Sequence, residues 1–462
     1  MNSILQLKGR FEQRSNRSRP GSPKLPKGKS VSASHLRELE KQLERILVYW
    51  TENKDIRGAL VSVHYKHIVA KSNRLKILLS ENGKSPTESI RGAKFVWEPD
   101  QKGNEVQKHV FTHFVSLQAI EKSIDVLKKT ASIIEQYYKG SVPSEVIEEL
   151  GEKYHFNEVP KTSFLKTMVD GFYVERFDID RATEEITEEA IITIYQTGVD
   201  TKRLLSKFGI DIVDDRIIDG TTLRLNPDEV KLLYNNASYL IAMGVTDFSE
   251  ISRDDVLDAY EDMEEDAGLL IPHPQNEPVI GVIDTQFNEK VYFHEWVEYK
   301  NLLDPNIPLS RKDYEHGTAV SYIIVDGPQG NPELADGCGR FRVRHFGVAT
   351  NNGFSSFTVL KMIRNIVASN RDIKVWNLSL GSKLEIKPNF ISPEAAELDR
   401  IQSEYDVIFV VAGTNIPAGV TKKNMRIGSP ADSLNSMVVN AVDFAGNSAS
   451  YTRIGPVRSF FH

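Results

Sequence analysis

The feature that most constrains the fold of this sequence is an alternation of short apolar runs and helix-like segments after residue 277. The apolar runs are residues 279–283, 343–348, 373–378, 407–412 and 437–442, and the helical segments are residues 317–325, 356–369 and 393–404. Continuous apolar strands that alternate with helices predict an α/β fold, a parallel sheet with helices on both faces. Such sheets bind ligands beyond the carboxyl ends of their strands. Asp284, Ser379 and Gly413 follow such ends here.

The composition is that of a globular protein without disulfide bonds. The chain has 462 residues, 40% of them apolar and 26% charged, and a net charge of −7. The single cysteine, Cys338, excludes an internal disulfide and a cysteine-rich metal site, and we expect no cofactor and no metal. The acidic balance argues against a nucleic-acid-binding surface over the whole protein. The sequence has no recognisable signal peptide and no run of about 18 apolar residues, so we expect a cytoplasmic protein without a membrane span.

Composition and periodicity divide the chain into six segments. The predicted segments are a disordered basic tail (1–33), an α+β amino-terminal domain (34–145), a connecting segment (146–188), a small β-α-β-α-β domain (189–245), an acidic linker (246–276) and the α/β domain (277–462). The tail is rich in Ser, Pro, Gly and basic residues, which favours disorder. The acidic run is typical of a solvated linker.

Two of the segments before the α/β domain also have readable secondary structure. In the amino-terminal domain, the predicted helices are 34–50 and 116–139, and the predicted strands are 59–65, 93–97 and 109–115. In the small domain, the predicted strands are 190–195, 221–225 and 238–242, and the predicted helices are 200–208 and 227–236. Asn226-Pro227 opens the second of these helices with a proline in its first turn. The order predicts helices packed on a small antiparallel sheet.

Asp284 and His316 are the candidates for chemistry. Asp284 ends an apolar strand, and His316 is expected to open the next helix. Taken singly, Asp284 could be a turn or cap residue and His316 a structural or surface histidine. Taken together, a buried carboxylate that accepts from one imidazole nitrogen fixes the tautomer of the ring and leaves the other nitrogen free to take a proton from a nucleophile.

Two strand ends beyond Asp284 could complete a site. Ser379-Leu380-Gly381 ends one strand, and Gly413-Thr414-Asn415 ends the next. The side-chain amide of Asn415 could donate to an oxyanion, or it could simply satisfy a turn. A donor of this kind stabilises a transition state by roughly 2.7–4 kcal/mol.

From about residue 277 onward the chain resembles the subtilisin-like serine proteases, the subtilases. The blocks that carry the resemblance are Val279–Thr285, His316-Gly317-Thr318, Ser379-Leu380-Gly381, Ala412–Asn415, Ser429–Asp443 and Ser450–Pro456. The resemblance implies a subtilisin-like fold and acyl-enzyme hydrolysis of peptide bonds. It assigns His316 as general base, Asp284 as its orienting acid and Asn415 as an oxyanion donor. It also implies that Ser379, Leu380, Gly381 and Gly413 bind the substrate backbone.

The sequence departs from the family pattern at three places. Ala319 replaces a second histidine, and Thr414 stands between Gly413 and Asn415, so that either Thr414 or Asn415 could occupy the oxyanion position. The Gly-Thr-Ser-x-Ala block of the nucleophile does not appear before His462, and neither Ser450 nor Ser459 has the required strand-to-helix setting. We therefore expect the nucleophile to lie beyond His462 and these 462 residues to be inactive.

The region before the α/β domain has resemblances of its own. Residues 189–243 are similar to the propeptides that chaperone and block many subtilases, with Leu225–Val230 as the similar block. The stretch Ile68–Arg74 is similar to intracellular bacterial subtilases that are paired with AAA-type ATPases and linked with phage defence. These resemblances imply a polypeptide substrate and an ATPase partner. The alternatives are a non-catalytic module that binds peptides or the ATPase and, least favoured, a nucleic-acid protein that uses the basic tail.

Overall fold

The computed structural model describes most of the chain from residue 25 onward. The described ranges are residues 25–81, 84–99, 103–147, 154–183, 189–246, 251–252, 271–332, 335, 337–350, 355–382, 385–386, 391–416, 425–442 and 446–455. Most of the predicted basic tail, most of the predicted acidic linker and the segment with Pro456 and Ser459 lie outside these ranges.

The amino-terminal part is an antiparallel sheet with helices packed against it. Its elements are β1 (Ser30–Ser32), α1 (Ala33–Glu52), β2 (Ala59–Tyr65), β3 (Ile90–Pro99), β4 (Glu105–Val115), α2 (Leu117–Tyr137), β5 (Ser141–Pro143), α3 (Lys161–Tyr173) and β6 (Val174–Asp178). The sheet has the order β3-β4-β2-β6. The side chains of Ser32 and Ser116 cap α1 and α2 by accepting from backbone N–H groups. Leu36, Leu39 and Leu43 on one face of α1 are buried because they pack into the core.

The structure differs from the sequence analysis at two places in this part. The end of the predicted disordered tail is ordered, since β1 pairs with β5 and Val31 is buried. The predicted connecting segment 146–188 contains α3 and β6, and β6 pairs with the central strand β2. The signal for α3 is present in the sequence, because Phe164, Leu165 and Met168 recur at helical spacing and are buried.

The next part is a small antiparallel sheet with two helices. Its elements are β7 (Ala190–Ile194), α4 (Thr201–Ser206), β8 (Ile217–Ile218), β9 (Thr222–Leu225), α5 (Pro227–Ala237) and β10 (Ile241–Thr246), with sheet order β10-β7-β9-β8. Asn226 and Glu229 form a reciprocal capping box at the start of α5. The predicted strand 238–242 begins later than expected, because Ser238–Leu240 is a 3₁₀ turn that precedes β10.

The predicted linker 246–276 is not only a linker. Residues Ile251–Ser252 form a short strand, β11, that pairs antiparallel with residues Gly381–Ser382 of the last domain. The chain that leaves the small sheet therefore runs along a strand that the sequence assigns to substrate binding.

The last domain is the parallel α/β sheet that the sequence predicts. Its elements are β12 (Val279–Asp284), β13 (Val297–Asn301), α6 (Lys312–Gly330), β14 (Arg342–Gly347), α7 (Ser356–Ser369), β15 (Val375–Leu378), β16 (Gly381–Ser382), α8 (Pro393–Tyr405), β17 (Ile408–Ala412) and β18 (Met437–Val439). The main sheet has the order β13-β14-β12-β15-β17-β18, and its pairs are parallel. The edge strand β13 is absent from the prediction because most of its side chains are at least partly exposed and give no apolar run.

Helices cover both faces of this sheet. Val282 on β12 lies in one buried cluster with Val325 of α6, whereas its neighbour Ile283 lies in a second cluster with Leu360 of α7 and Leu398 of α8. Successive residues of a strand point to opposite faces, so α6 lies on one face and α7 and α8 on the other. The predicted fold class is confirmed.

The small sheet contacts both of its neighbours through opposite faces. Ala190, Ile192 and Ile194 belong to the same buried cluster as α1, and Tyr239 meets Trp50 edge to face with ring centroids 5.1 Å apart. Ile191, which points the other way, belongs to the cluster of α7 and α8. The small sheet is thus packed between the amino-terminal part and the α/β domain.

Candidate active site

The structure brings Asp284 and His316 into direct contact. Asp284 is the last residue of β12 and is fully buried. His316 lies in α6, which begins at Lys312, so it is in the second turn and does not open the helix as predicted. Its Nδ1 is 2.6 Å from Oδ1 of Asp284. The strand delivers the acid, and the following helix delivers the base to the same sheet edge.

The electrostatics of this pair fix its protonation pattern. Burial alone would raise the pKa of Asp284, but the adjacent His316 and its hydrogen bond lower it, and the net shift of this pKa is downward. The carboxylate is therefore ionised at neutral pH and is an acceptor only. It follows that Nδ1 of His316 carries the proton and that Nε2 is the basic nitrogen. The backbone N–H of Thr285 donates to the same Oδ1 at 2.7 Å, and no described residue donates to Oδ2.

A close approach of helix to strand makes this contact possible. Gly317 N–H donates to Oγ1 of Thr285 at 3.0 Å. A Cβ on Gly317 would lie 2.6 Å from the carbonyl oxygen of Gln286 and 2.7 Å from that of Thr285. Because real Cβ atoms do not approach backbone oxygens so closely, the residue after His316 has to be glycine for α6 to meet the end of β12.

The segment predicted to bind the substrate backbone lies beside this edge. Ser379 and Leu380 follow β15, the parallel neighbour of β12, and lead into β16. The Ser379 hydroxyl donates to Oδ1 of Asn377 at 3.0 Å, and Leu380 is buried. Gly381 pairs with Ser252 of β11. The backbone of β16 therefore pairs with an extended segment of the chain in this structure.

Gly381 lies against Thr414, and this contact makes a testable prediction. A Cβ on Gly381 would lie 2.4 Å from Cγ2 of Thr414. We expect Gly381→Ala to destabilise the domain by about 1–3 kcal/mol, the usual range for overpacking. Thr414→Ser removes the methyl group and keeps the hydroxyl, so the double variant should recover most of the loss. Urea denaturation of the unsubstituted protein, the two single variants and the double variant checks this prediction. A double variant no more stable than Gly381→Ala alone would contradict the clash.

Thr414 has a structural position that bears on the choice of oxyanion donor. It is buried and adopts a left-handed conformation with φ of 65°. Its hydroxyl donates to the Gly413 carbonyl at 2.7 Å and accepts from Gly428 N–H at 2.9 Å. Since the hydroxyl is engaged on both sides by backbone, Thr414 is poorly suited to an oxyanion.

Asn415 follows the end of β17, two strands from β12 in the sheet. Its carbonyl accepts from Nε of Arg453 at 2.7 Å, and its backbone bridges to Thr452. Arg453 is almost fully buried and also donates to the carbonyl of Ser382 at 3.4 Å. The guanidinium thus ties the Asn415 turn to β16. The oxyanion role of Asn415 and the substrate role of Gly413 stay predictions.

The sequence analysis does not identify a layer of buried polar residues beside the Asp284–His316 pair, called the dyad below. Gln286 is fully buried, donates to the carbonyl of Ala349 at 2.9 Å and accepts from the hydroxyl of Tyr299 at 2.6 Å. Burial raises the pKa of Tyr299 to about 12, so this hydroxyl remains a donor. These partners are far apart in sequence, and no spacing rule connects them.

Comparison with known families agrees with this geometry. Residues 275–460 match the sequence profile described as the subtilase family, Peptidase_S8. These residues form a subtilase-family domain. A search of the curated proteins finds no match. The subtilase domain carries the buried Asp284–His316 pair and the six-stranded parallel sheet described above.

Several of the solved structures that match part of this chain are described as proteases. The prenylagaramide maturation protease PagA has 17% identity and a TM-score of 0.29, with 38% of this chain and 58% of that chain covered. The subtilisin-like protease Apa1 from Pseudoalteromonas sp. AS-11 has 18% identity and a TM-score of 0.29, with 39% of each chain covered. The epidermin leader peptide processing protease from Staphylococcus aureus has 16% identity and a TM-score of 0.33, with 58% of this chain and 74% of that chain covered. The chain thus spans about three fifths of the length of the PagA structure.

In the described part of the chain, no helix combines the length and the hydropathy that crossing a membrane requires.

Proposed function

We propose that the protein is a serine endopeptidase that hydrolyses peptide bonds through an acyl-enzyme. His316 acts as general base at Nε2, and Asp284 holds the ring and stabilises the imidazolium that forms. Asn415 donates to the oxyanion. The observation that carries the proposal is the 2.6 Å hydrogen bond between a fully buried carboxylate and the His316 imidazole inside a subtilase-family domain.

Ser379, Leu380, Gly381 and Gly413 are proposed to align the substrate as an added strand. The pairing of β11 with β16 supports this, because it is antiparallel and places Ile251 opposite Ser382 and Ser252 opposite Gly381. Main-chain hydrogen bonds of this kind bind extended peptides with little dependence on side chains. A substrate and β11 would compete for the same backbone groups.

Residues 189–245 are proposed to act as a propeptide-like restraint. The small sheet packs on α7 and α8 through Ile191 and Ile218. Lys361 of α7 pairs with Asp215 at 2.9 Å, and Arg400 of α8 pairs with Asp219. This docked sheet holds the following strand β11 on β16.

The nucleophilic serine is proposed to come from polypeptide beyond residue 462. The 462 residues contain no Gly-Thr-Ser sequence. Strand β18 supports the proposal, because it pairs only with β17 among the described strands and carries exposed apolar side chains. The exposed apolar residues there and nearby are Leu434, Met437, Val438, Val439 and Val442. An apolar patch of this kind is typical of a surface that other polypeptide covers.

The test compares two proteins that differ only in length. We expect the 462-residue chain not to hydrolyse a fluorogenic peptide library, and we expect a chain extended along its reading frame through a Gly-Thr-Ser-x-Ala block to hydrolyse it. The matched control is the extended chain with that serine changed to Ala. Hydrolysis by the 462-residue chain that is lost in His316→Ala would overturn the proposed source of the nucleophile. An inactive extended chain would overturn the peptidase.

The partnership with an AAA-type ATPase and a role in phage defence remain proposals based on the Ile68–Arg74 stretch. Lys71–Asn73 is a 3₁₀ turn, and Ile68 in this stretch is 39% exposed. An exposed apolar side chain beside basic residues is compatible with a protein contact. If an AAA-type ATPase is encoded beside this protein, its co-purification with the protein, lost on Ile68→Asp, would support the pairing.

A further inference from the structure

His345 is a fully buried histidine that the proposed mechanism does not use. It lies on β14, opposite Val282 of β12. Its Nε2 is 2.8 Å from the carbonyl oxygen of Thr285, the residue after Asp284. Its Nδ1 is 2.9 Å from the hydroxyl of Ser321, five residues after the general base on α6. Both ring nitrogens therefore have partners.

These partners determine the tautomer of His345. A backbone carbonyl accepts only, so Nε2 carries the proton and donates to Thr285. Burial lowers the pKa of His345, so the ring is neutral and Nδ1 is an acceptor. The Ser321 hydroxyl consequently donates to Nδ1. The result is a directed chain of hydrogen bonds from Ser321 through His345 to Thr285.

The chain of bonds joins the two elements that carry the dyad. Ser321 belongs to the helix of His316, and Thr285 belongs to the turn of Asp284. The N–H of Thr285 donates to Oδ1 of Asp284 at 2.7 Å, and the Oγ1 of Thr285 accepts from Gly317 N–H at 3.0 Å. A shift of Thr285 would therefore change the position of both Asp284 and the helix that carries His316.

We propose that His345 is a positioning residue that sets the separation of β12 and α6 and thereby the Asp284–His316 hydrogen bond. The neutral ring acts as a spacer of fixed length, with one donor and one acceptor on opposite sides. An aliphatic residue could fill the volume but would leave the Thr285 carbonyl and the Ser321 hydroxyl without their His345 partners, which is unfavourable for buried polar groups. The aromatic neighbours Phe287 and Tyr299, each with a ring centroid 5.7 Å from that of His345, hold the ring in place.

Two substitutions of similar polarity separate positioning from simple packing. The amide of His345→Gln reaches about as far as Nε2 and can still donate to Thr285. The amide of His345→Asn reaches only as far as Nδ1, so it keeps the Ser321 contact and loses the Thr285 contact. The readout is the proton resonance of Nδ1–H of His316 in protein labelled with ¹⁵N-histidine, assigned by its absence in His316→Gln.

We expect the unsubstituted chain and His345→Gln to show this resonance. We expect His345→Asn to lose it or to exchange it with water at least tenfold faster. Equal spectra for the two variants, whether both keep or both lose the resonance, would overturn the proposal. Ser321→Ala gives a second measurement, because it keeps the bond from His345 Nε2–H to Thr285 and removes only the donor to Nδ1, so the ¹⁵N shift of Nδ1 should change while Nε2 stays protonated. Unchanged ¹⁵N shifts of His345 in Ser321→Ala would also overturn the proposal. This second measurement decides the question even if His345→Asn does not fold.

The catalytic meaning of this inference rests on the proposed peptidase function, but its test does not need a nucleophile. If the extended chain is inactive and the resonance pattern holds, the peptidase fails and the positioning of His316 stands. If the extended chain is active and the two variants are indistinguishable, the positioning role fails and the peptidase stands.

Discussion

Asp284→Asn in the extended, active protein should lower kcat by about 10⁴-fold, the size of effect that follows when the histidine of such a dyad takes the wrong tautomer. The Nδ1–H of His316 donates to Oδ1 of Asp284 at 2.6 Å, and Asp284 is fully buried. An asparagine can present its N–H₂ group to the ring, which makes Nδ1 the acceptor and moves the proton to Nε2. The base would then have no lone pair directed at the nucleophile.

The measurement is kcat and KM for a peptide substrate at saturating and limiting concentrations. KM should change little, because Asp284 lies behind the histidine and is not assigned to substrate binding. His316→Ala should cost at least as much in kcat, and the double variant should be no worse than the more damaged single variant, since residues that act as a unit are not additive.

Asp326→Asn is a suitable control for this prediction. Asp326 is another buried carboxylate on α6, where it accepts from Arg340 at 2.6 Å and from Tyr292 at 2.9 Å. We expect this variant to lose stability and to retain kcat. A loss in Asp284→Asn no larger than in Asp326→Asn would contradict the assigned role of Asp284.

The sequence predicts best those site residues that follow the ends of buried strands. Residues 279–283 form an apolar run because β12 lies in the middle of a parallel sheet with helices on both faces, and Asp284 follows at its carboxyl end. The predicted helices 356–369 and 393–404 agree with α7 and α8 within one residue. Burial on one face gives these elements a strong periodic pattern.

The features that the sequence does not predict depend on tertiary contacts or lack a local sequence signal. β13 is a partly exposed edge strand, so its sequence lacks an apolar run. The start of α6 at Lys312 is hidden because no capping side chain marks it. His345 gives no signal at all, since its partners Ser321 and Thr285 are 24 and 60 residues away. A histidine between Arg344 and Phe346 looks like any other strand residue until the fold brings Thr285 to its ring.

The restraint by the small sheet depends on a small apolar contact with α7 and α8. Ile191 and Ile218 are buried in the same cluster as Leu360 and Leu398. The opposite face of the small sheet packs into the amino-terminal core, which includes Ile192 and Trp50. The small sheet therefore keeps much of its own support if the contact with α7 and α8 is lost, so this contact can be weakened selectively.

Ile191→Asp should release the small sheet from the α/β domain. An unpaired carboxylate among apolar side chains costs several kcal/mol, and about 3 kcal/mol corresponds to a rise of roughly 100-fold in the undocked population. We expect faster hydrogen exchange in Ser356–Ser369 and Pro393–Tyr405, and in the extended protein a higher initial rate of peptide hydrolysis, because β11 no longer occupies β16. Val213→Asp places the same charge on an apolar residue of the same part that is 61% exposed, and it should change neither quantity. If the two variants exchange and hydrolyse alike, the small sheet does not restrain the domain through this contact.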